Sequence, residues 1–182
     1  PNAAAKVIST GRFRHVGLLM GTHYERSNFT RELIRGLYDG LQKNGLHLSV
    51  WFLGDEQLED ATRLPDFLRQ QMVDGLLLNY THAIPEHMQS AIERSRLPVI
   101  WVNVKRPTNC VYQDDLAAGR RAVEYLYELG HRRSAFADFI HGEEITFTPH
   151  YSAVDRRNGY EQGISEFDLS IDIMRGKHRL TG

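Results

Sequence analysis

Apolar and polar positions follow two different periodicities along this chain. Short apolar runs such as Val16-Gly17-Leu18-Leu19-Met20 have the length of buried strands. Between these runs, apolar residues recur every three or four positions, which is typical of amphipathic helices. The pattern predicts strands over residues 16–20, 46–53, 75–78, 98–102, 110–112, 134–139 and 171–174, with helices that end near Gly45, Met72, Ser95, Gly130 and Phe167.

Strands that alternate with helices of this length predict βαβ units and an α/β fold with a doubly wound parallel sheet. Such sheets bind ligands beyond the carboxyl ends of their strands. His23, Tyr80 and Asp114 follow the first, third and fifth predicted strands, so each is a candidate ligand contact. For His23 and Tyr80 this position is the sole argument, and the alternative is an ordinary polar loop after a strand.

The composition of the 182 residues is that of a globular protein, with 41% hydrophobic and 25% charged residues. A net charge of −1 argues against nucleic-acid binding by this stretch alone, because phosphate contacts need a basic surface. The single cysteine, Cys110, excludes an internal disulfide and fits a reducing cytosol. Without a membrane-length apolar run or a signal-peptide pattern, we expect a cytoplasmic protein with no membrane contact. The chain does not begin with Met and ends just after a strand-like stretch, so we expect a fragment of a larger protein.

Short motifs of catalysis and cofactor binding are missing from the sequence. It contains no G-x-G-x-x-G dinucleotide fingerprint, no phosphate loop and no G-x-S-x-G nucleophile elbow. Its nine histidines and one cysteine form no pattern with metal-ligand spacing. We therefore predict no catalytic residue, no cofactor and no metal, and a protein that is not an enzyme.

Several segments together resemble the lactose-repressor (LacI-type) family of bacterial transcription regulators. Each segment is short, but their order and spacing match over residues 1 to about 167. The matching segments are Val73-Asp74-Gly75-Leu76-Leu77-Leu78 with V-D-G-I-I-L, Leu97-Pro98-Val99-Ile100 with I-P-V-V, Asp114-Asp115 and Ala117-Ala118-Gly119 with D-N and A-A-G, Glu128-Leu129-Gly130-His131-Arg132 with E-L-G-H-R, and Arg156-x-x-Gly159-Tyr160 with R-x-x-G-F.

This resemblance implies a two-lobe sensor like that of the periplasmic binding proteins, with its second lobe incomplete. It divides the chain into a hinge or linker (1–11), an N-terminal lobe (12–132) and a partial C-terminal lobe (133–182). The implied function is the effector-binding core of a sugar- or small-metabolite-responsive regulator, a repressor that forms a homodimer. Such a regulator binds operator DNA through a helix-turn-helix that is missing from this chain.

The first residues resemble the hinge segment of that family, P-N-x-x-A-x-x-L-x-x-G. Asn2 and Ala5 match the pattern, and Ile8 takes the position of the apolar side chain that wedges into a base step of the minor groove. A disordered, Ala-rich linker is the alternative. A helix of about ten residues is only marginally stable without its DNA, so the linker describes this stretch in isolation and the hinge describes the intact protein.

The same resemblance implies the residues that hold the effector between the lobes. Arg156 matches an effector-contacting arginine whose planar fork holds two ligand oxygens, and its alternative is a surface salt bridge. Ser152 lies one helical turn earlier and is otherwise an N-cap, and His150 is a third candidate. Phe29 matches a ring that covers the ligand or else belongs to a helix core, and Asp114 accepts from ligand hydroxyls or else caps the next helix.

Two other classes of protein fit parts of the sequence. A periplasmic sugar-binding protein of a transport system shares the two-lobe fold, and a signal peptide in the upstream coding sequence would identify it. An enzyme on a similar α/β scaffold needs a catalytic group that the sequence does not display.

Overall fold

Five parallel strands form the larger sheet of the protein. A computed structural model describes residues 11–22, 29–54, 56, 60, 68, 72–80, 84–138 and 149–175, with backbone alone for residues 171–175. The strands are β1 (His15–Gly21), β2 (His47–Leu53), β3 (Gly75–Asn79), β4 (Val99–Val102) and β5 (Cys110–Val111), in the order β2-β1-β3-β4-β5. All four neighbouring pairs are parallel. From β1 the chain passes to the edge strand β2 and then returns to β3 on the other side of β1. The direction in which successive strands are added therefore reverses at β1. The predicted doubly wound α/β fold is confirmed.

Two helices with clear end signals accompany this sheet in the described part of the chain. Helix α1 (Arg31–Lys43) begins after Thr30, whose side-chain oxygen accepts from the backbone N–H of Leu33 at 3.3 Å. It ends at Asn44, and Gly45 follows with a φ of 65°, which glycine adopts without strain. Helix α2 (Glu86–Arg94) begins directly after Pro85, which takes the N-cap position. The helix predicted to end near Met72 falls mostly outside the described residues.

The core of the larger sheet lies on the face covered by α2. Leu19, Leu76 and Leu78 come from the two central strands and are at most 2% exposed. Met88 and Ile92, one helical turn apart on α2, belong to the same cluster. Burying one such side chain contributes roughly 1.5–3 kcal/mol of transfer free energy. Trp51 and Trp101 are partly buried and pack against this cluster.

A second, smaller set of elements contains α3 (Asp115–Glu128), β6 (Arg133–Asp138), α4 (Tyr151–Glu166) and β7 (Ser170–Arg175). Strands β6 and β7 pair in parallel. Val123 of α3 packs with Tyr160 and Ile164 of α4 in a buried cluster. The Tyr160 hydroxyl donates to the backbone carbonyl of Ser134 at 2.9 Å, so this buried polar group is satisfied.

The contacts group the chain into two units, Pro1–Tyr112 and Gln113–Gly182, called the first and second unit below. Helix α3 falls in the second unit, where it packs against α4. The lobe boundary predicted from the sequence lies after residue 132, which would assign α3 to the first lobe. The predicted lobe boundaries remain a prediction. Within the described residues, no helix has the length and hydrophobicity to cross a membrane.

Candidate functional site

The first turns of α4 bring three of the predicted effector contacts together. Arg156 donates from Nε to the backbone carbonyl of Ser152 at 2.9 Å and from Nη2 to the Ser152 hydroxyl at 3.0 Å. His150 Nδ1 lies 2.9 Å from the same hydroxyl. His150 is the N-cap residue of α4, so the alternative that Ser152 is the cap is wrong. These side chains form one connected polar group at the beginning of the helix.

Asp115, which the sequence analysis did not select, completes this group from α3. Its Oδ1 lies 3.2 Å from Arg156 Nε. The Asp115 side chain is 12% exposed, whereas that of Arg156 is 52% exposed. The salt bridge considered as the alternative role of Arg156 therefore exists, but its partner is a largely buried carboxylate. The exposed part of the guanidinium remains available to a ligand.

Two glycines allow α3 and α4 to approach closely enough for this ion pair. A Cβ atom on Gly119 would collide with the backbone carbonyl oxygen of Arg156 and lie 2.9 Å from the backbone nitrogen of Tyr160. A Cβ atom on Gly159 would collide with the backbone carbonyl oxygen of Leu116. These contacts are with rigid backbone, so any side chain at either glycine would force the helices apart. The first turn of α3 thereby lies against the middle of α4, where Arg156 is.

Burial raises the pKa of the Asp115 carboxyl above its ordinary value. The positive charges of Arg156 and His150 act in the opposite direction and lower this pKa, whereas Asp155 and Asp114 add to the increase. The net upward direction shows that the charged partners do not fully offset the loss of hydration. Asp115 thus sits among several charged groups that interact with it electrostatically.

The segment before α3 supplies two further contacts. The Asp114 side chain accepts from the backbone N–H of Ala117 at 3.0 Å and caps α3, which is the structural role considered for it. Only one carboxylate oxygen makes this bond, so a ligand role for the other stays a prediction. Tyr151 donates its hydroxyl to Gln113 Oε1 at 3.3 Å. Gln113 and Tyr151 were also missed by the sequence analysis, because their proximity depends on the packing of α3 on α4.

The arrangement combines a half-exposed guanidinium with hydroxyl and carboxylate acceptors. It suits a ligand with several hydroxyl groups, because a hydroxyl both accepts from arginine and donates to a carboxylate. Within the described ranges, no group of three or more His, Cys, Asp or Glu residues could hold a metal ion.

The remaining predicted contacts belong to the first unit or lie outside the described residues. Tyr80 follows β3 and is 2% exposed within the hydrophobic core cluster, so it has a packing role. Phe29 precedes the cap of α1 and is partly buried. His23 and the predicted hinge residues Asn2, Ala5 and Ile8 lie outside the described residues.

Comparison with known proteins identifies the family. Residues 15–179 match the family of periplasmic binding proteins and sugar-binding domains of the LacI family. The chain is 23% identical over 175 residues to a probable HTH-type transcriptional regulator, EndR, of Paenibacillus polymyxa, covering 94% of this chain and 49% of the relative. It is 28% identical over 156 residues to the HTH-type transcriptional repressor CytR of Escherichia coli, covering 81% of this chain and 42% of the relative.

The fold is also that of solved regulators. The crystal structure of a probable maltose operon transcriptional repressor from Staphylococcus aureus aligns with a TM-score of 0.66 and 18% identity, covering 92% of this chain and 59% of that structure. The chain spans about half the length of the curated relatives it matches. On its family match over residues 15–179, it belongs to the family of periplasmic binding proteins and sugar-binding domains of LacI-type regulators.

Proposed function

We propose that this chain is the effector-binding part of a sugar- or small-metabolite-responsive transcription regulator that acts as a repressor. The observation that carries the proposal is the arrangement of Arg156 between Ser152 and Asp115. Its guanidinium is fixed on one side by these residues and half exposed on the other. A donor that is already oriented loses little conformational entropy when it binds a ligand.

The effector contacts are Arg156, Ser152, His150 and Asp114 in the second unit. Arg156 donates to ligand oxygens, while Ser152 and the free oxygen of Asp114 accept from ligand hydroxyls. Phe29 and His23 are further candidates from the sequence, whereas the burial of Tyr80 favours its packing role. The ligand is bound and released unchanged, so the protein is not an enzyme.

The regulator is cytoplasmic and binds operator DNA as a homodimer. Asn2, Ala5 and Ile8 form the hinge that enters the minor groove, and a helix-turn-helix outside this sequence reads the operator. Effector binding changes the affinity for DNA only as far as the effector binds the two conformational states differently. The names of EndR and CytR, both HTH-type regulators, support this assignment.

Thermal unfolding of the full-length protein against a panel of sugars and nucleosides tests the proposal. One compound is expected to raise the melting temperature, because selective binding to the folded state stabilises it. Arg156→Lys keeps the charge but removes the fork, so this shift should largely disappear. Arg121→Lys is the matched control, since Arg121 is an exposed arginine of α3 whose partner is Glu124. If Arg156→Lys and Arg121→Lys respond alike to the compound, Arg156 does not contact the effector.

A periplasmic sugar-binding protein is the second candidate, since the description of the matching family names that class as well. Binding of promoter DNA by the full-length protein distinguishes the two. A regulator should release or bind its operator when the stabilising compound is added, whereas a transport protein should show no sequence-specific affinity for DNA.

A further inference from the structure

The charged groups around Arg156 are mostly acidic. Asp114 precedes Asp115 in the chain and Asp155 precedes Arg156, and both carboxylates act electrostatically on Asp115. Arg156 is the one guanidinium that acts on the same carboxyl, and His150 is the other basic group. Three carboxylates and two basic side chains therefore belong to this part of the second unit. We call these five residues the acidic cluster.

The positive charge of Arg156 is already engaged. Asp115 Oδ1 lies 3.2 Å from its Nε, and Ser152 accepts from both Nε and Nη2. A ligand at the exposed side of Arg156 therefore meets a guanidinium that is already paired with one carboxylate.

We propose that the ion pair between Asp115 and Arg156 makes this site selective for uncharged hydroxyl-bearing effectors over their phosphorylated counterparts, with Asp115 as the positioning residue of Arg156. This inference rests on the proposed function and specifies the ligand class of the same site. It concerns a charge preference, which the fold and the family match do not determine.

The preference follows from hydrogen-bonding capacity as well as from charge. A sugar hydroxyl donates to a carboxylate and accepts from Arg156, so it can use both kinds of group in the cluster. A phosphate dianion has acceptors alone and cannot use the carboxylates. It also approaches a guanidinium that is already paired with Asp115, so Arg156 attracts it less than an unpaired arginine would.

Calorimetric titration of the full-length protein with matched pairs tests the preference. The probes are ribose and ribose 5-phosphate, glucose and glucose 6-phosphate, and adenosine and adenosine 5′-monophosphate. In the pair that binds, the uncharged member should bind more tightly by roughly tenfold or more. Equal or tighter binding of the phosphorylated member would overturn this inference and leave the proposed effector-binding function intact. Binding of no member of any pair, together with no affinity for promoter DNA, would overturn the proposed function and this inference with it.

Asp115→Asn tests the positioning role, because asparagine keeps the shape and removes the charge. The preference for the uncharged member should narrow by roughly tenfold, since Arg156 gains free positive charge and loses its fixed orientation. Glu166→Gln is the matched control: it removes one carboxylate at the far end of α4, where Glu166 pairs with Arg120, and should leave the preference unchanged. An unchanged preference in a folded Asp115→Asn protein, or an equal narrowing in Glu166→Gln, would overturn the role of Asp115.

Discussion

The two units of this protein present their predicted ligand contacts in different ways. In the second unit, Ser152 and Arg156 are joined by direct polar contacts of about 3 Å and reach Asp115 on the neighbouring helix. In the first unit, Tyr80 occupies the position after a strand but is almost fully buried in the core. Strand-end position therefore locates the edge of a sheet without giving the role of the residue. A polar motif on a helix is more informative, because its spacing places the side chains on one face.

The largest expected effect tests the packing role of Tyr80. Tyr80→Ala should lower the free energy of unfolding by about 3–5 kcal/mol, the range for removing a buried aromatic side chain. Denaturant unfolding of the full-length protein measures this loss. Tyr80→Phe keeps the ring and should keep most of the stability. Suppose that Tyr80→Ala loses less than about 1 kcal/mol of unfolding free energy while ligand binding disappears. Tyr80 would then be a ligand contact, and the contrast drawn between the two units would be wrong.

The close approach of α3 and α4 predicts the next effect. Gly159→Ala places a methyl group against the backbone carbonyl of Leu116, so the helices must separate. We expect a loss of about 1–3 kcal/mol, the usual range for overpacking. Gly36→Ala is the control in the first unit, because nothing lies within 4 Å of a Cβ atom there.

On the exposed helix α1, Gly36→Ala should leave stability unchanged or increase it by up to about 1 kcal/mol, since alanine is the better helix former. Urea titrations of both variants measure the difference. Equal losses would show that Gly159 has no special packing role.

Most of the architecture was predictable because strand and helix periodicities are local properties of a sequence. Helix α3 was expected to end near Gly130, and it spans Asp115–Glu128. The Asp115–Arg156 pair was not predicted, since it depends on how two helices pack. A signal was nevertheless present, because glycines inside amphipathic helices, here Gly119 and Gly159, indicate a close approach of another chain segment.

The caps of α1 and α3 offer a smaller and matched test of the two units. Thr30 accepts from the backbone N–H of Leu33, and Asp114 accepts from that of Ala117. Replacing either by alanine should cost about 1 kcal/mol in unfolding free energy. Only Asp114→Ala should also lower the affinity for the compound that stabilises the full-length protein. The reason is that the second carboxylate oxygen of Asp114 is the proposed acceptor for ligand hydroxyls. If Thr30→Ala lost the same amount of affinity, the loss in Asp114→Ala would come from lower stability and not from a missing contact between Asp114 and the ligand.

The smallest expected effect is a change in the pH dependence of stability caused by Asp115. Burial raises the pKa of this carboxyl above its ordinary value of 3.8, so the folded state holds the proton to higher pH than the unfolded state does. Stability is therefore highest where Asp115 is protonated in both states and falls as the pH rises from about 3.8 through the folded-state pKa. Asp115→Asn removes this loss. The variant should match the parent below that range and exceed it at neutral pH by no more than about 1 kcal/mol, since the partner guanidinium is half exposed.

Unfolding curves recorded at several pH values for the parent and for Asp115→Asn measure this difference. The control is Glu166→Gln, which removes a carboxylate that pairs with Arg120 and not with Arg156. If Asp115 served only to stabilise the fold, its replacement by asparagine would not increase stability at neutral pH. A gain there, combined with a weaker preference for the uncharged ligand, would mean that Asp115 is retained at a cost in stability because it orients Arg156. A loss of stability at neutral pH would instead show that the pair with Arg156 outweighs the burial of the carboxylate, and the role of Asp115 would then be structural.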